Sequence, residues 1–150
     1  YSTRVAHFPE DELDQIFEIR RRLESYAAGR AAERATSEQV AELDRLTTRM
    51  ERLSPPKSDS EYEEVAQINA DFHRLLAEAA CSPRLRAVLS MAVDVGIVAR
   101  TYKSYSEDEL IRSVRHHREL VDAIASGAPE WASHVMSSHV LAAAASAGRR

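Results

Sequence analysis

Val65-Ala66-Gln67-Ile68-Asn69-Ala70-Asp71-Phe72-His73-Arg74-Leu75-Leu76-Ala77-Glu78-Ala79 decides the reading of this chain. Its apolar residues Val65, Ile68, Phe72, Leu75, Leu76 and Ala79 recur three and four apart, the period of an amphipathic helix. Asn69 and His73, spaced i, i+4, fall on one face beside that stripe, where two donors can clamp one ion. An inward imidazole needs a partner, and imidazole is the commonest neutral metal ligand.

Two more histidines share that placement. His117 has Leu110, Val114, Leu120, Val121 and Ile124 around it at helical spacings, and His139 follows Val135 and Met136 by one turn. Taken singly, each reads as a core histidine satisfied by a hydrogen bond. Three together, with an amide one turn from His73, read either as separate structural residues or as one divalent-ion site. His116, beside Arg112 and Glu119, and His134, beside Glu130 and Ser138, read as solvent-facing. His134 and His139 are roughly 140° apart on a helix and should not share an ion.

Outward from this stretch the chain reads as all-helical. It has only 4 Gly and 5 Pro, which fall mostly between periodic segments. A first helix is expected from about Glu10 to Arg34, striped by Leu13, Ile16, Phe17, Leu23, Ala27 and Ala31. Thr36 and Gln39 form a capping box for a second, ending near Leu53, and Ser60 and Glu63 offer one for the third. Ser82-Pro83 opens a fourth helix to about Arg100. Ser106 and Glu109 open a fifth, Gly127 stops it and Pro129 opens a sixth. Six helices with mostly short connections predict an antiparallel bundle over residues 10–150, with Tyr1 to Pro9, including His7, as the end of a linker or tail.

Bulk properties narrow the function. Lys and Arg total 20 against 24 acidic residues, a net charge of -4, so this chain is a poor binder of a phosphate backbone on its own. The single cysteine, Cys81, excludes an internal disulfide and suits a reducing cytosol. No stretch approaches the roughly 20 apolar residues of a membrane span, and no signal peptide opens the chain. The start at Tyr1 suggests a piece of something longer. No Ser/His/Asp set, glycine-rich phosphate loop or catalytic carboxylate pair is present.

Arg20 and Glu24, again i, i+4, continue the inward stripe of the first helix. Either they form a structural ion pair, or Arg20 presents its fork to the carboxylate of a bound molecule. Arg100, Tyr102 and Tyr105 are weaker candidates for the same pocket, the tyrosines reading as loop packing. Trp131, Met50, Met91 and Met136 read as core filler.

Four segments, in order, carry a resemblance: Phe17-Glu18-Ile19-Arg20-Arg21-Arg22-Leu23-Glu24, Asn69 to Ala77, His117-Arg118-Glu119-Leu120-Val121-Asp122-Ala123-Ile124, and Met136-Ser137-Ser138-His139-Val140. Over about Leu13 to Ala143 the chain resembles the FCD ligand-binding domain of GntR-type bacterial transcription regulators. The resemblance implies an all-helical, homodimeric, cytoplasmic domain that senses a small carboxylate, with a divalent metal held by an aspartate or asparagine and three histidines. Carried over, the ligands are Asn69, His73, His117 and His139, and the first-helix arginine is Arg20; Glu24, Arg100 and Tyr102 are expected beside it in the effector pocket from their placement alone.

The first ligand is more often aspartate. Asn69, a neutral donor, implies weaker metal affinity and a more positive site, and Asp71 projects from another face. The family's DNA-binding winged helix-turn-helix has no counterpart before Leu13, so DNA contact is expected only through a domain absent here. The ion is expected to be zinc, with nickel or manganese as the other choices. A helical-bundle metalloenzyme and a metal-free interaction domain are the alternative readings.

Overall fold

The protein is described here by a computed structural model covering residues 10–92 and 102–147. Among these residues there are six helices and no strand: α1 (Glu10–Arg34), α2 (Ser37–Arg52), α3 (Asp59–Ala79), α4 (Pro83–Ala92), α5 (Glu107–Ala125) and α6 (Pro129–Ala147). A helical turn at 102–104 precedes α5. The expected linker at Tyr1 to Pro9 and the end of the fourth helix, with Arg100, lie outside the described residues.

Local signals fix most of the helix ends. At α2, the Thr36 side chain accepts from the Gln39 N–H while the Gln39 side chain accepts from the Thr36 N–H. Ser106 and Glu109 do the same for α5, and Ser82 accepts from the Leu85 N–H ahead of α4. Gly127 stops the chain after α5 with φ 61, a conformation that costs residues with a Cβ about 1–2 kcal/mol. The expected Ser60 cap is corrected to Ser58, whose hydroxyl accepts from the Glu61 N–H. The Glu61 carboxylate meets the Lys57 N–H.

Burying apolar stripes at about 25 cal/mol per Å² drives the assembly. Phe72, Leu43, Met50, Ile68, Leu76, Leu120 and Met136 are fully buried between the helices. α1 and α6 run antiparallel, with Arg21 near Ser137 and Gly29 near Pro129. α5 and α6 are antiparallel too, tied by Ser146 donating to Glu109 and Trp131 donating to Glu119. Arg118 clamps α5 to α2 through Asp44, Thr48 and Glu51.

Two residues expected in the core are outside it. Met91 is 87% exposed and Trp131 42% exposed. Trp131 spends its N–H on Glu119 at the surface, which suits an amphipathic ring better than full burial. The interior instead takes in polar groups that sequences seldom bury: Arg20, Glu24, Asn69, His117 and His139. These groups lie together and define the site.

Candidate functional site

Three helices bring three imidazoles to one point. His73 comes from α3, His117 from α5 and His139 from α6, and one ring nitrogen of each lies within 4.8 Å of the others. Ring centroids are 5.5 Å apart for His73 and His117, 5.4 Å for His73 and His139, and 4.6 Å for His117 and His139. The edge of Phe72 packs on His117 at 4.7 Å and closes the cluster on the core side. A tetrahedral ion with metal–nitrogen bonds of about 2.0–2.1 Å needs donors about 3.3 Å apart. Side-chain rotation of an ångström or so covers the difference.

Burial makes the His117 and His139 rings neutral, the form a metal takes. Desolvation drives the His117 pKa down to about 3 and, with neighbouring His117 and His73, drives His139 well below the usual histidine range. A neutral imidazole carries one N–H. His117 commits its own to the Ser113 carbonyl, 2.7 Å from Nδ1. Its Nε2 is then a lone pair, and it faces the Asn69 Oδ1 at 2.9 Å.

That amide oxygen already accepts from the Tyr102 hydroxyl at 3.0 Å. Two acceptors in contact call for a positive centre between them, or for the amide to turn its NH2 toward the ring. His139 Nδ1 is buried with no hydrogen-bond partner at all, a costly state for a polar atom in an apolar wall. An unpaired buried nitrogen beside two others is the chemistry of an open ligand set.

The opposite wall is ionic. Arg20 Nε donates to Glu24 Oε1 at 2.8 Å, and Glu24 Oε2 lies 2.8 Å from His73 Nδ1, turned off ideal hydrogen-bond alignment. Burial alone would raise the Glu24 pKa; Arg20 and His73 together outweigh it and bring it to about 2. Arg20, Glu24, Asn69 and His73 open onto a cavity of about 640 Å³, which Arg86 and Leu89 of α4 help to line. That volume lies within the range of small-ligand pockets, roughly 300–1,000 Å³.

Of the residues singled out from sequence, Asn69, His73, His117 and His139 come together, and Arg20 and Glu24 form the ion pair at their side. Arg100 lies outside the described residues. Tyr102 is corrected from loop packing: it is buried in a helical turn, and burial pushes its pKa up to about 12 while its hydroxyl spans Asn69 and Ser113. His116 is corrected as well. It is half-buried, its Nδ1 has no partner, and its ring sits 5.8 Å from His139. His134 is exposed as expected, with Nδ1 on the Glu130 carbonyl. Ser113 and the Glu24–His73 contact went unread, because nothing in sequence spacing links α1 to α3.

Comparison with known proteins gives one family and a consistent fold. Residues 15–142 match the FCD domain. A GntR protein of Streptococcus agalactiae superposes with a TM-score of 0.72 at 23% identity, over 91% of this chain and 60% of that one. E. coli McbR/YncC superposes with a TM-score of 0.78 at 20% identity, over 94% of this chain and 72% of that one. The chain thus spans about 60% of the length of the first of these proteins. Comparison with curated protein sequences gives no match.

Proposed function

The chain belongs to the FCD family, non-enzymatic effector-binding domains of GntR-type regulators, and on that premise we propose that it senses a small carboxylate at a metal-centred pocket. The observation that carries this reading is the buried, unpartnered nitrogen of His139, whose ring is clustered with those of His73 and His117. Asn69, His73, His117 and His139 would hold the ion, which supplies a Lewis-acid anchor for an anion. Zinc suits three imidazoles best, ahead of nickel or manganese.

With four neutral ligands the 2+ charge is uncompensated, so the open positions favour a carboxylate. Arg20 lines the same cavity, and its Nη groups make no protein hydrogen bond among the described residues. Effector binding would bias the bundle or a dimer contact, and so the placement of a DNA-binding domain outside this chain. No described helix is long and apolar enough to cross a membrane, and we place the regulator in the cytoplasm.

Elemental analysis and native mass spectrometry of the purified chain test the ligand set. Wild type should carry about one ion per chain, and His73→Ala and His117→Ala should carry essentially none. A hundredfold excess of Zn2+ over its Kd should stabilise wild type by about 2.7 kcal/mol and leave the variants unmoved. Full metal content in both variants would overturn the assignment. Metal-free wild type, with a turned Asn69 amide satisfying His117, would instead support a purely structural cluster.

A further inference from the structure

Resting on that reading, we infer that Glu24 is the positioning residue of the site: its one buried carboxylate sets which nitrogen of His73 faces the metal and aims the fork of Arg20. Oε2 lies 2.8 Å from His73 Nδ1, and Oε1 holds Arg20 Nε at 2.8 Å. All three side chains are largely withdrawn from water, with side-chain exposures of 16% for His73, 7% for Arg20 and 6% for Glu24. A lone pair on Nδ1 could not face a carboxylate oxygen so closely, so in the metal-binding form of the ring the proton sits on Nδ1. Nε2 is left bare for an ion. His117 is built alike, with Ser113 in the place of Glu24: Nδ1–H on a carbonyl, Nε2 turned inward. Metal-ligating histidines are commonly oriented in this way by a carboxylate or carbonyl behind them.

The second half of the inference concerns Arg20. Because Nε is committed to Glu24, the two Nη groups are the part of this cavity-lining guanidinium left free for a ligand. One carboxylate thus sets the direction of both positive anchors, ion and arginine, toward a common ligand.

Glu24→Gln separates this role from simple packing, because the amide is nearly isosteric. Arg20 can only donate, so the new side chain must turn its oxygen to Arg20 and its NH2 to His73. That NH2 donates to Nδ1 and forces the proton to Nε2, the nitrogen the metal needs. Nitrogen-15 NMR of the metal-free chain should show His73 as the Nδ1–H tautomer in wild type and as Nε2–H in Glu24→Gln. Titration with Zn2+ alone should show about 10- to 100-fold weaker binding in that variant.

The double variant Arg20→Met/Glu24→Gln frees the amide to turn its oxygen back to His73. It should restore the Nδ1–H form and most of the Zn2+ affinity. An Nε2–H tautomer in wild type, or wild-type Zn2+ affinity in Glu24→Gln, would overturn the inference. If Glu24→Gln does not fold, failure of the double variant to show Nδ1–H does the same. If wild type takes up no Zn2+ at all, the metal reading fails, while the tautomer of the metal-free protein still decides the role of Glu24.

Discussion

The two halves of α1 face the same bundle and solve opposite problems. From Ala27 onward the helix is small on its inner side: Ala27, Ala28 and Ala31 are fully buried, and a Cβ on Gly29 would come within 3.3 Å of the Pro129 carbonyl oxygen. One and two turns earlier the inner side carries Glu24 and Arg20, which with Ala27 line a cavity of about 640 Å³. One helix closes the bundle at its end and lines a cavity in its middle. A tightly packed end can bear the stability cost of a polar, under-satisfied interior, because the two are separate along the helix axis.

That separation can be broken from either side. The largest effect is expected at the closed end. Ile124 is 3% exposed and lies two turns past His117, so Ile124→Ala should cost about 2–5 kcal/mol in denaturant unfolding. Its metal content should match wild type, and parallel loss of metal would show that the halves are not independent.

Next comes acid. In the metal-free chain, folded His117 and His139 resist protonation, with His117 near 3. The unfolded chain protonates both below about pH 6.5, so it binds more protons than the folded one. Stability should therefore fall as pH drops from 6.5, by about 1.4 kcal/mol per pH unit for each histidine. Glu24, drawn down to about 2, acts lower: its contribution holds above 4.5 and is lost as pH falls toward 2. A flat unfolding midpoint between pH 7 and 5 would mean the rings are wet. The smallest effect is expected at Gly29. Gly29→Leu should cost about 1–3 kcal/mol by overpacking against Pro129. In Gly29→Ala, the helix-propensity gain of up to ~1 kcal/mol should roughly offset the tight contact. Thermal unfolding of the pair measures how rigid the seam is.

Much of this was legible in the chain itself. The helix order, the caps at Thr36, Ser82 and Ser106, and the stop at Gly127 rest on interactions within a few residues. The segment Ser58-Asp59-Ser60-Glu61-Tyr62-Glu63 shows the limit, since it holds the same Ser-x-x-Glu spacing in two registers. The inward placement of His73, His117 and His139 was likewise written in helical period. What sequence could not supply was contact between helices. Tyr102 on Asn69, Glu24 on His73 and His116 against His139 depend on how helices rotate against one another. Met91 and Trp131 misled because large apolar residues default to the core in any pattern reading, whereas among the described residues both side chains are exposed.

The hydrogen bond from Trp131 to Glu119 gives the domain its own optical gauge. It is the only tryptophan in the chain, it touches water, and it joins the two helices that carry His117 and His139. Any motion that pries α5 from α6 must change the surroundings of that indole. Its emission can follow the hairpin in real time, without a label.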